Sequence, residues 1–181
     1  MENKTVLEGG CMTRREFMLV GGSGTMTVLL TTIPGFENAL AVPARVTNYP
    51  RKRVAGLSNI QQHVPVYFKY PDEDPTSSAS FLVKLGEPGG GGVGPNGDIV
   101  AFNALCPHLG GPLMGTYKKE HAAVGPCPLH LSTFDLTKHG MIIAGHATES
   151  LPQILLEISD DDIYATGMLG LIYGRASNLP G

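Results

Sequence analysis

Two short stretches, Cys106-Pro107-His108-Leu109 and Cys127-Pro128-Leu129-His130, restrict this chain more than any other feature. Each supplies one thiol and one imidazole, two residues apart in the first and three in the second. The only other cysteine is Cys11, far upstream. Two cysteines alone would suggest a disulfide, but a disulfide needs no histidine beside each sulfur, whereas a metal does. Pro107 and Pro128 stiffen both loops, and Gly110, Gly111 and Gly125 let backbone amides come close to sulfur.

Two soft thiolates and two imidazoles leave two candidates. One is a closed tetrahedral zinc site. The other is a two-iron cluster, with both thiolates on one iron and both imidazoles on the other. Zinc fingers usually pair Cys with Cys and His with His along the chain. The order here alternates, with one of each per loop, which favours the two-iron cluster.

The rest of the chain points to β structure. Gly (24) and Pro (14) are plentiful and charged residues are few (16%), which favours short strands and turns over helices. Alternating or apolar runs at His63 to Tyr70, Ser80 to Leu85, Asp98 to Leu105 and Met141 to Ala144 predict strands. Leu151 to Ile158 and Ile163 to Thr166 flank the turn Ser159 to Asp162 as a hairpin. Residues 42–60 read as a polar leader, Gly86 to Gly97 as a hairpin loop or flap, and Thr133 to Asp135 as the start of a turn. The expected class is all-β: an antiparallel β sandwich or barrel with a subdomain of two loops carrying the Cys and His residues. The net charge of −3, with Arg51-Lys52-Arg53 as the longest basic tract, gives no footprint for nucleic acid.

Thr13-Arg14-Arg15-Glu16-Phe17-Met18 precedes a mildly apolar run, Leu19 to Ile33, and Ala39-Leu40-Ala41 fits an A-x-A cleavage site. The paired arginines resemble a twin-arginine (Tat) export signal, the route for proteins that fold before export. Residues 1–41 are therefore read as a signal and 42–181 as the working domain, placed in the periplasm with no stable membrane insertion after cleavage. Met12 is an alternative start.

With these residues in view, the boxes resemble those of Rieske [2Fe–2S] proteins. Tyr70-Pro71-Asp72-Glu73-Asp74, Val83-Lys84-Leu85-Gly86, Gly91 to Pro95, Asp98-Ile99-Val100, Gly145 to Pro152 and Gly170 to Arg175 are similar to the small subunit of the arsenite oxidase and iodate reductase family, from about Tyr49 to Asn178. The resemblance implies one [2Fe–2S] cluster bound by Cys106, His108, Cys127 and His130. It also implies a Ser132 hydroxyl directed at cluster sulfur and a third loop, containing Pro152, over the cluster. Phe134 stands where respiratory-complex relatives carry Tyr, which removes one sulfur-directed hydroxyl and implies a lower potential. Cysteines that many relatives join between the boxes are replaced by Gly111 and Leu129.

In function, the resemblance implies the electron-transfer subunit of a periplasmic oxidoreductase acting on an oxyanion, with no catalytic residue on this chain. The implied partners are a large molybdopterin-containing catalytic subunit and a soluble carrier such as cytochrome c. Arsenite oxidase and iodate reductase stand nearly even, with electrons moving outward in the first and inward in the second. An anchored respiratory bc1-type Rieske protein is the alternative. A ferredoxin serving an aromatic-ring dioxygenase and a structural zinc protein stand further off. His63, His121, His139 and His146 are not expected as ligands, although His146, within the third loop, is expected close to the cluster. Asp160-Asp161-Asp162 is expected as a solvated turn.

Overall fold

The computed structural model describes residues 48–179; the segment read as an export signal, with Cys11, lies outside them. Ten strands are present among the described residues: β1 Lys52–Gly56, β2 Val66–Lys69, β3 Ala79–Lys84, β4 Ile99–Asn103, β5 Tyr117–Lys118, β6 Ala123–Val124, β7 Thr133–Asp135, β8 Met141–Ala144, β9 Gln153–Ser159 and β10 Asp162–Leu169. They form a six-stranded sheet ordered β1-β10-β9-β4-β3-β2 and a four-stranded sheet ordered β5-β6-β7-β8. All strand pairs are antiparallel. The expected all-β class holds.

Period-2 alternation in β3 and β4 explains how the two sheets meet. Phe81, Val83, Val100 and Phe102 point to one side and share a core with Val124, Phe134, Leu136, Cys106 and Cys127. Leu82, Ile99 and Ala101 point to the other side and pack with Ile154, Ile163, Ala165 and Ile172 inside the curl of the large sheet. β4 is thus buried on both faces, which is why Ile99 to Asn103 reads as a nearly unbroken apolar run.

The edges of the large sheet are drawn together into a nearly closed barrel. Tyr70, just after β2, stacks on Tyr49, just before β1, with ring centroids 6.2 Å apart. The Tyr70 hydroxyl donates to the Pro50 carbonyl at 3.1 Å, and Lys52 pairs with Glu73. Closure of this kind hides the open edges that would otherwise recruit other strands.

Two sequence readings need correction. Part of the expected leader, Lys52 to Gly56, is an edge strand on β10, held by tertiary partners that its charged sequence does not announce. Arg53 pairs with Asp162 at 2.7 Å, and the Arg51 guanidinium lies 3.5 Å from the centre of the Tyr164 ring. The expected turn at Thr133 to Asp135 is β7, paired on both sides and anchored by the fully buried Phe134. The small sheet, residues 117–144, is inserted between β4 and β9, which are neighbours in the large sheet.

Candidate metal centre

Three loops gather at one end of the small sheet. The first follows β4, the second joins β6 to β7, and the third, residues 145–152, leads from β8 to β9. The first two are built to one plan. The Cys106 amide donates to the Gly111 carbonyl at 2.9 Å, and the Gly110 amide donates back to the Cys106 carbonyl at 2.8 Å. In the second loop the Cys127 amide donates to the Ser132 carbonyl at 2.8 Å, and the Leu131 amide donates to the Cys127 carbonyl at 2.9 Å. The fifth residue of each loop sits in the left-handed region, Gly110 at φ 69° and Leu131 at φ 61°. Glycine takes that conformation freely; leucine does so at a cost of about 1 kcal/mol or more.

This construction sets the two cysteines side by side, both buried and both free thiols. Burial is the main force pushing the Cys106 thiol up, and the neighbouring Cys127 adds to it; the His108 amide and the Ser132 hydroxyl pull it down. A thiol held in this way keeps its proton until a metal takes the proton's place on sulfur and the proton leaves to solvent. The imidazoles also come together, with the rings of His108 and His130 4.8 Å apart and nearly perpendicular, at 78°. Nδ1 of each ring is buried without a hydrogen-bond partner. Two orphaned buried nitrogens beside two buried thiols are costly for a metal-free protein and form the donor set a two-iron cluster takes. Cys106 neighbours Cys127 and His108 faces His130, which gives a thiol pair and an imidazole pair.

The surrounding residues fall as follows. Ser132 is fully buried, and its Oγ accepts from the amides of His146 at 3.2 Å and Ala147 at 3.0 Å, which ties the third loop to the second. Its hydroxyl proton remains free to point at the Cys106 sulfur. Phe134 lies in the same core as both cysteines. Pro152 sits at the far end of the third loop, with its carbonyl accepting from the Asn103 amide at 2.9 Å, and so pins that loop to β4. His146 of this loop reaches the imidazoles. Its ring is 6.0 Å from both imidazoles, stacked on His108 at 21° and edge-on to His130. Of the apolar residues in the boxes, Leu113 is buried, while Leu109, Met114, Leu129 and Leu131 are exposed.

The other histidines have separate roles. His121 is exposed. His63 Nδ1 meets the Tyr117 hydroxyl at 3.2 Å, and His139 Nδ1 meets Gln153 Oε1 at 2.7 Å. Asp160 to Asp162 make the β9–β10 turn, where Asp161 accepts from Ser58. One contact was not legible in the sequence. A Cβ on Gly110 would lie 2.6 Å from Cδ1 of Tyr173, so that ring rests directly on the first loop.

A protein-family model described as the Rieske [2Fe–2S] domain matches residues 54–155. The chain is 55% identical over 174 residues to iodate reductase subunit IdrB of Denitromonas iodatirespirans, a match spanning 96% of this chain and 90% of that one. It is 53% identical over 167 residues to the protein of the same name from Pseudomonas sp. (strain SCT), spanning 92% and 84%. Among solved structures, the soluble domain of the Rieske protein II (soxF) from Sulfolobus acidocaldarius superposes with a TM-score of 0.61 and 27% identity, covering 71% of this chain and 82% of that one.

Proposed function

The chain belongs to the Rieske [2Fe–2S] domain family, and on that premise we propose that it is the electron-transfer subunit of an exported iodate reductase. The observation that carries this is the 55% identity to an iodate reductase subunit over nearly the whole chain, well beyond the cluster loops. The catalytic work falls to a partner subunit, which we take to be the large molybdopterin protein. The donor is a soluble carrier of the cytochrome c kind. The paired arginines Arg14 and Arg15 direct export to the periplasm.

In this role Cys106 and Cys127 would hold one iron through sulfur, and His108 and His130 would hold the other through the buried Nδ1 atoms. When bound, the cluster accepts and releases one electron at a time. The chain's own residues set the conditions. Buried Cys106 and Cys127 keep water from the sulfurs, and Ser132 offers a hydroxyl to sulfur while holding the third loop shut. The imidazoles present their outer edges among the exposed Leu109, Leu129 and Leu131, a surface fit for docking an electron partner.

The test is the complex purified from periplasm with its catalytic subunit, followed by electron paramagnetic resonance. Iodate should extinguish the signal of a chemically reduced Rieske cluster, and arsenite should leave an oxidised cluster unchanged. If arsenite reduces the cluster and iodate does nothing, the protein is an arsenite oxidase subunit. A Rieske protein found in the membrane with bc1-type cytochromes would support the respiratory alternative.

A further inference from the structure

The C-terminal strap after β10 is anchored more heavily than a chain end requires. Ile172 is fully buried in the barrel core, and its amide donates to Asn178 Oδ1 at 2.9 Å. Asn178 Nδ2 donates to the Gly170 carbonyl at 2.7 Å. Arg175 uses its whole guanidinium: Nε donates to Ser77 Oγ at 2.9 Å, Nη1 to Asp72 Oδ2 at 2.8 Å and the Asn178 carbonyl at 3.0 Å, and Nη2 to Asp72 Oδ1 at 3.0 Å and Ser78 Oγ at 2.9 Å. A fork saturated in this way is rigid and leaves no donor for a ligand.

Tyr173 lies between these two anchors, and its ring rests on Gly110. Gly110 occupies the left-handed corner of the first loop, two residues after His108. The matching corner of the second loop, Leu131, is 66% exposed and carries no such cover. The first loop is therefore clamped from outside by the barrel, and the glycine at 110 is what allows the ring to come so close.

We propose that Tyr173 is a positioning residue for the cluster: by clamping Gly110 it fixes the first Cys–His loop, so that His108 stays facing His130. This rests on the Rieske function proposed above. Rigid outer contacts govern how long a loop-held metal group is retained, and the clamp supplies from outside what a crosslink between the loops would supply from within.

The test compares wild type, Tyr173→Phe and Tyr173→Ala in the purified complex. One readout is the half-life of the Rieske resonance under an iron chelator. The other is amide hydrogen exchange at Gly110 and Gly111 in metal-free protein. Tyr173→Ala should lose the cluster roughly tenfold faster and exchange faster at those amides, with the barrel amides unchanged; Tyr173→Phe should match wild type. If Tyr173→Ala does not accumulate, Tyr173→Leu removes the ring with less loss of packing and should speed cluster loss alike. Wild-type rates in Tyr173→Ala, or equal losses in Tyr173→Phe, would overturn the clamp. Absence of any Rieske resonance in wild type would instead overturn the cluster assignment beneath it.

Discussion

Leu129 packs its side chain over Gly111, so closely that a Cβ on the glycine would lie 3.1 Å from Leu129 Cγ and 3.2 Å from Cδ1. These are the two positions at which many Rieske proteins carry the crosslinked cysteines. The loops still meet there, but through an apolar contact. The same Cβ would fall 2.5 Å from the Cys127 sulfur. Gly111→Ala should therefore push Cys127 aside, and the purified protein should carry less than about a tenth of the wild-type Rieske resonance per chain. Leu129 is half-exposed, so Leu129→Ala should cost only about 1 kcal/mol in denaturant unfolding and keep its cluster.

Ser132 performs two tasks with one hydroxyl. Ser132→Ala leaves the amides of His146 and Ala147 without their acceptor and removes a donor facing Cys106 sulfur. The unpaired amides should destabilise the fold by about 1–3 kcal/mol. The lost hydrogen bond to sulfur should lower the reduction potential by tens of millivolts, since about 1 kcal/mol is roughly 40 mV for one electron. Phe134→Tyr adds a hydroxyl in the core shared with both cysteines and should move the potential the opposite way. A redox titration of the Rieske resonance on both variants measures these shifts, and an unchanged potential in Ser132→Ala would place the hydroxyl out of reach of the cluster.

The Asp72–Arg175 pair predicts acid sensitivity of the strap. The guanidinium, and after it the Ser78 hydroxyl and Asp74 amide, hold the Asp72 carboxyl well below the usual carboxylate range. A depressed folded value stabilises the native state fully above the unfolded value of about 3.9, and that stability is lost as pH falls through the folded value. Arg175→Met should therefore be less stable than wild type by about 2 kcal/mol between pH 5 and 8, a figure suited to a partly exposed charged pair. The gap should close as both proteins are acidified below about pH 4. Denaturant melts across that range measure it, and a gap that persists at the lowest pH would assign the cost to lost packing.

What the sequence revealed and what it hid have the same physical origin. Cys106, His108, Cys127 and His130 stand out in the sequence because a metal site asks for those atoms at close spacing, and the fold brings the two thiols together and the two imidazoles together. The long apolar strands β3, β4 and β9 were legible because their periodicity spans several residues. β5 and β6, two residues each, are too short to show a period. β1 is charged and owes its strand to partners more than 100 residues away. His146 is flagged by its place in the third loop, whereas Tyr173 is ordinary in sequence and gains meaning only when the chain brings it to Gly110.

Leu131 is the residue whose local conformation and role pull against each other. It stands at φ 61° with a side chain 66% exposed, where the twin loop uses Gly110. Neither the backbone angle nor burial accounts for a leucine here, and strain kept at such a point indicates function. Leu131→Gly removes the left-handed penalty of about 1–2 kcal/mol, partly offset by about 0.5–1 kcal/mol for the looser unfolded glycine. The variant should therefore be as stable as wild type or up to about 1 kcal/mol more so, with its Rieske resonance intact. Electron transfer with the docking partner should nevertheless slow several-fold, because the most exposed leucine beside the imidazoles is gone. Stopped-flow oxidation of the reduced complex, run beside a denaturant melt, separates the two effects. A variant that gains stability and keeps its transfer rate would show that Leu131 takes no part in docking.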